Sequence, residues 1–132
     1  MNKMVARFRD GRMVKGTTLD FSPAKELFHI TVPGSPPGSN PTAIQMEELK
    51  ALFFVKDFTG DASHIEKKEF DSPTPPGEHP VVAAFKDGEI LTGTTPGYRP
   101  GFPGFFLVPA DAESNNLRCY IVSDATQEVR FL

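Results

Sequence analysis

The sequence predicts an all-β protein made of two tandem copies of one five-stranded small barrel, packed as a pseudo-twofold pair. Three observations predict it. A stretch of 14 residues recurs 77 positions later without a gap. Each copy carries an Asp-Gly pair between alternating apolar runs, which is a strong hairpin signal. The same offset keeps matching apolar positions over about 50 residues, where chance similarity would drift in register.

The first copy starts at Val5 and reads Val-Ala-Arg-Phe-Arg-Asp-Gly-Arg-Met-Val-Lys-Gly-Thr-Thr; the second starts at Val82, and eight of the 14 positions are identical. Ala6 and Phe8 fall on one strand face, Arg7 and Arg9 on the other; Ala83 and Phe85 repeat the inward face. This is the period of a half-buried strand. Asp10-Gly11 and Asp87-Gly88 then suit two-residue type I′ turns. Gly16 and Gly93 lie inside the returning strands, where glycine marks a bulge or bend that lets a small sheet curl.

A third strand follows at Leu27 to Val32 and at Phe105 to Val108, and a fourth at Thr42 to Met46 and at Leu117 to Val122. A polar helical turn comes next at Glu47 to Lys50 and at Ser123 to Thr126. Ala51 to Val55 and Glu128 to Leu132 end the two units. Five short strands with such a turn describe a small barrel, whose closure would remove exposed sheet edges. The units therefore span 1–57 and 81–132, joined by a connecting segment at 58–80. Ser63 to Glu66 fits a capping box opening a short helix. The Pro-rich run from Asp71 to Pro80 reads as an extended spacer.

Composition narrows the function. Lys plus Arg is 14 and Asp plus Glu is 17, a formal net charge of -3, so the broad positive field of non-specific nucleic-acid binders is missing. Neither a signal-peptide core nor a membrane-length apolar run is visible, so a cytoplasmic protein without membrane contact is expected. The single cysteine, Cys119, sits in an apolar strand and reads as a packing residue. No Ser-His-Asp or Cys-His pattern surrounds His29, His64 or His79, so no catalytic residue is assigned and the chain is read as no enzyme. Asp57, Asp61, His64 and Glu66 cluster in sequence but match no metal-binding loop; no metal and no cofactor are expected.

The least ordinary stretch runs from Pro96 to Phe105. Tyr98, Arg99 and Phe102 offer stacking faces and a guanidinium to a ligand or to another protein. Pro23 holds the place of Pro100 in the first unit, but Arg99 and the loop glycines have no match there. The expected partner is another protein or a small ligand, and homo-oligomerisation is compatible with the pattern.

Two family resemblances rest on the first unit. The run from Val5 to Gly16, continued by Asp20 and by Leu27-Phe28-His29-Ile30, resembles the first motif of Sm-like small barrels. That resemblance implies a barrel and RNA binding. Asp20-Phe21-Ser22-Pro23-Ala24-Lys25 looks like the Asp-x-Ser-x-x-Gly motif of PilZ domains, with Lys25 in the glycine's place. It implies a cyclic di-GMP site made by Arg7, Arg9, Arg12, Asp20 and Ser22. Over nearly its full length, the chain is also similar to an uncharacterised family of bacterial barrel proteins with no established activity. The ranking that follows is a non-catalytic binding module first, a PilZ-like receptor second and an Sm-like RNA binder third.

Overall fold

Both Asp-Gly pairs reverse the chain, by a turn different from the one expected. Gly11 N donates to Phe8 O at 3.1 Å and Phe8 N to Arg12 O at 2.9 Å. Gly11 has a φ of 93°, and among the described residues no non-glycine has a positive φ. Asp10 thus keeps an ordinary conformation. The reversal is a type I turn closed by a left-handed glycine bulge, not a type I′ turn. Asp10 Oδ1 accepts from Arg12 N at 3.0 Å, which holds the turn from within. Asp87 and Gly88 repeat the arrangement, with Asp87 Oδ1 accepting from Glu89 N at 3.0 Å and a φ of 95° at Gly88.

The structure is a computed structural model that describes residues 3–70 and 73–132; Met1 and Asn2, and Asp71 and Ser72 of the Pro-rich run, lie outside them. The turns join β1 (Lys3–Phe8) to β2 (Met13–Thr17) and β6 (His79–Phe85) to β7 (Ile90–Thr95). Between and after them come β3 (Leu27–Ile30), β4 (Thr42–Gln45), β5 (Leu49–Val55), β8 (Gly104–Pro109), β9 (Asn116–Val122) and β10 (Thr126–Phe131). Single 3₁₀ turns at Met46–Glu48 and Ser123–Ala125 precede β5 and β10, where helical turns are expected. Among the described residues no helix is long and apolar enough to cross a membrane.

The expected closed barrels do not form. Eight strands make one open sheet in the order β10-β6-β7-β8-β9-β5-β1-β2, and β3 pairs with β4 in a separate ribbon. A bridge between Thr17 and Thr31 links that ribbon to β2. The sheet is continuous because β5 does not return to β4. It pairs antiparallel with β9 instead, Ala51 opposite Ile121 and Leu52 opposite Tyr120. A twofold exchange of the halves would turn this pair into a β10–β4 pair, and no such pair exists among the described residues. The expected pseudo-twofold is therefore absent as well.

Burial explains the preference. All seven residues of β5 are buried, and they alternate between two cores. Ala51, Phe53 and Val55 pack with Val81, Phe85, Phe105, Leu107, Cys119 and Ile121. Leu49, Leu52 and Phe54 pack with Phe28, Ile30, Ile44, Tyr120 and Val122. A strand covered on both faces reads as a continuous apolar run, as Ala51 to Val55 does. Together β5 and β9 are the wall that both cores share. Lys50 starts that wall nearly buried; its ammonium meets Asp87 at 2.7 Å and also Glu89, and lies 4.7 Å from the Phe85 ring centre. The first half is thus tied by charge to the hairpin of the second.

The in-strand glycines act by close approach. A Cβ on Gly16 would collide with the Thr31 carbonyl, and one on Gly93 with the Val108 carbonyl. Each glycine lets the next strand cross tightly over the hairpin.

Among its described residues the connecting segment forms no helix. Asp61 Oδ1 accepts from Ser63 N at 3.0 Å and Ser63 Oγ at 2.6 Å, so an Asx turn takes the hydroxyl that a helix cap needs. The segment is pinned to the β8–β9 loop: Asp111 Oδ2 accepts from Lys67 N at 2.9 Å and meets His64 Nε2 at 2.8 Å.

Gly93→Ala should cost about 1–3 kcal/mol through overpacking. Gly97→Ala, where nothing lies within 4 Å of the added methyl, should leave stability nearly unchanged. Urea unfolding of the two variants makes the comparison.

Candidate functional site

The loop between β7 and β8 is shaped by its own backbone. Gly97 N donates to Thr95 Oγ1 at 3.3 Å, and that hydroxyl donates to Gly97 O at 3.2 Å. Phe102 N donates to Arg99 O at 3.1 Å, and Gly101 turns with a φ of 93°. These bonds set Tyr98 against the sheet, edge-on to Phe105 at 4.8 Å between ring centres. Tyr98 also meets Phe131 at 6.4 Å, and Phe131 meets His79 at 6.3 Å. The result is a cavity of about 490 Å³ lined by His79, Pro96, Tyr98, Arg99, Phe102 and Phe131. Phe102 and Phe131 are 42% and 49% exposed. Among the described residues the Arg99 guanidinium has no hydrogen bond or ion pair. Tyr98, Arg99 and Phe102, picked out from the sequence, therefore line one cavity. The strands add His79 and Phe131, which no local motif marks because they lie far from the loop in sequence.

The five residues of the site that the PilZ-like resemblance implies lie in different surroundings. Arg7 lies 5.8 Å from the Phe53 ring and lines a cavity beside Phe58 and Asn115. Arg9 Nε donates to Leu49 O at 3.4 Å and lines a smaller cavity with Lys50 and Lys86. Arg12 is held by Asp10 at 2.7 Å and stacks on Phe8 at 4.6 Å. Asp20 Oδ2 meets His29 Nδ1 at 2.7 Å, while its Oδ1 accepts from His29 N at 2.9 Å. Ser22 Oγ accepts from Ala24 N at 3.3 Å.

Two Asp–His pairs are not legible as motifs, because each joins residues far apart in a loop or across the chain. Hydrogen bonds from the His29 ring and backbone hold the Asp20 carboxyl at about 2, against an ordinary 3.8. The backbone N–H groups of Lys67 and Glu113, with His64 adding to them, hold Asp111 at about 2. The Thr18 hydroxyl also donates to Asp20 Oδ1 at 3.1 Å; among the described residues no hydroxyl or thiol bonds either histidine ring, and both pairs clasp loops. Asp57 and Asp61, two of the acidic residues near His64, bond the backbone of their own turns. Among the described residues no group of three or more such side chains could hold a metal ion. Cys119 is buried; burial pushes its thiol well above the usual range, so it is held as the neutral, unreactive form.

Depressed carboxylates contribute stability above their unfolded value, and it is lost as pH falls through the folded one. The melting midpoint should hold steady at neutral pH and fall as pH drops from about 4 toward 2. Asp111→Asn should lower the neutral-pH midpoint and flatten that acid limb, which calorimetry across the range measures.

A family model described as a family of unknown function (DUF6982) matches residues 1–132. No curated protein matches the chain, and no solved structure matches it.

Proposed function

We propose that the chain, which belongs to this family of unknown function, is a non-catalytic binding module that takes an extended peptide segment of another protein chain. One observation carries the reading: the aromatic cavity around Tyr98, Arg99 and Phe102 includes Phe131 of β10, whose outer edge pairs with no strand among the described residues. Aromatic walls with exposed ring faces suit proline-rich or extended chains, and a free strand edge suits their backbone. The unpaired guanidinium of Arg99 adds a donor for a carbonyl or carboxylate. Catalysis is the weaker reading, since among the described residues no hydroxyl or thiol bonds the ring of either paired histidine. The like positions in the two halves also support an origin by internal duplication, after which the halves diverged at this loop.

A cyclic di-GMP receptor and an RNA binder are the competing readings, and the spread of Arg7, Arg9, Arg12, Asp20 and Ser22 over separate places weighs against the first. Amide NMR of the full chain, titrated with a proline-rich peptide, should perturb His79, Gly97 to Phe102 and the outer residues of β10. Tyr98→Ala should abolish that response. In thermal unfolding, nucleotides should leave the midpoint unmoved, whereas a ligand at about 100 times its Kd would add roughly 2.7 kcal/mol. A shift with cyclic di-GMP, mapped to Arg7 and Asp20, would replace the proposed reading with the receptor. RNA binding with steep salt dependence would replace it with the third.

A further inference from the structure

We propose that the segment taken by this site is β4 of a second copy of the same chain, so that copies associate head to tail through a β10–β4 strand pair. The inference rests on the binding-module reading and names its partner.

The template lies inside the molecule. The outer edge of β5 is covered by β9. Counted 77 residues along, β5 corresponds to β10, and β9 corresponds to β4. Among the described residues neither β10 nor β4 has a strand on its outer edge. The cost is visible in burial: every residue of β5 is buried, and none of β10 is fully so.

The offset converts the β5–β9 register into a definite one for the missing pair. Leu52 opposite Tyr120 becomes Val129 opposite Ala43, and Phe53 opposite Cys119 becomes Arg130 opposite Thr42. The hydrogen bonds test this register independently. Leu132 N donates to Pro80 O, so Leu132 and Arg130 face β6 and the backbone groups of Val129 point outward. Met46 N donates to Glu26 O, so Ile44 and Thr42 face β3 and those of Ala43 point outward. The two residues that the offset places opposite each other are thus the two whose donors and acceptors are free to exchange.

The aromatic cavity fits the same scheme. In the first half Phe21 packs on Phe28 and Phe54, and on Tyr120 from the covering strand. Tyr98 packs on Phe105 and Phe131, the matching rings, and among the described residues no third ring packs on it. Arg118 of β9 lies 4.4 Å from the Phe54 ring centre; its counterpart is Pro41, which the register sets over Phe131. The Pro-rich run from Pro33 to Pro41 leads straight into β4 and would reach the cavity of the neighbouring copy. Pro41 lacks an N–H and ends the ladder, and Gln127 stands where Lys50 anchors the internal pair. The association is therefore weaker than the fold's own seam. The contact is heterologous, so copies continue into an open chain or a closed ring.

Sedimentation velocity of the full chain over a dilution series should show mass above that of the monomer, growing with concentration. Val129→Pro and Ala43→Pro each remove an outward donor and no internal one. Either should weaken association at least about tenfold, equivalent to roughly 1.4 kcal/mol, with the circular dichroism spectrum unchanged. Disulfide trapping covers the case in which a proline variant fails to fold. Val129→Cys chains mixed with Ala43→Cys chains should cross-link on oxidation, since Cα atoms of a bonded antiparallel pair lie about 5.5 Å apart. Efficient cross-linking of Val129→Cys chains with each other would mean symmetric β10–β10 pairing and overturn the proposal. A single monomeric species at every concentration would also overturn it. That outcome leaves the peptide-binding module standing, because the titration with a foreign proline-rich peptide tests it separately.

Discussion

The pairing of β5 with β9 is the constraint from which the architecture follows. A strand buried on both faces needs a core on each side, and β5 supplies one wall to both. Neither half then holds a complete core of its own, which suits units of about 50 residues, near the lower limit for independent folding. The Lys50 ammonium between Asp87 and Glu89 fixes the same seam from its end. Its desolvation is offset by two carboxylates and a ring face, and the lysine's proximity holds the Asp87 carboxyl below its ordinary range. With β5 committed to β9, the ribbon of β3 and β4 is left at one end of the molecule and β10 at the other.

Much of this was legible. Strand positions, both reversals, the short turns before β5 and β10, and the special place of Gly16 and Gly93 follow from local pattern repeated at a fixed offset. Closure was not legible, because the residues that would close a barrel on itself are the same ones that join it to a neighbour. An apolar run such as Ala51 to Val55 says that a strand is covered and not by which strand. The capping pattern at Ser63 failed for a local reason, since Asp61 two residues earlier competes for the same groups. The Asp111–His64 contact spans 47 residues, and no spacing rule reaches that far. At the candidate site the loop residues stood out by composition, whereas His79 and Phe131 enter only through the pairing of β6 with β10.

The two halves differ most where the second one faces solvent. Phe21 is roofed by Tyr120, and its counterpart Tyr98 is not. Like sequence in two places has thus produced one satisfied joint and one unsatisfied joint, and the aromatic cavity is the visible form of the second. The core ring of Phe105 supports Tyr98 from beneath, and the half-exposed Phe131 stands beside it. This accounts for the aromatic character of the recess.

The long reach of the seam also orders the events of folding. Both hairpins close over a few residues and can form early. The strand from Leu49 to Val55 has β1 as a near partner but must wait for a partner that begins at Asn116, more than half the chain further on. During synthesis a ribosome at roughly 5–20 residues per second leaves that edge bare for several seconds. For this interval the run Ala-Leu-Phe-Phe-Val is a sticky, uncharged template of the kind that recruits other chains. Lys50 stands directly before it, unpaired until Asp87 and Glu89 are made about halfway through that interval. The residue that later locks the seam first serves as a charged gatekeeper on the nascent strand.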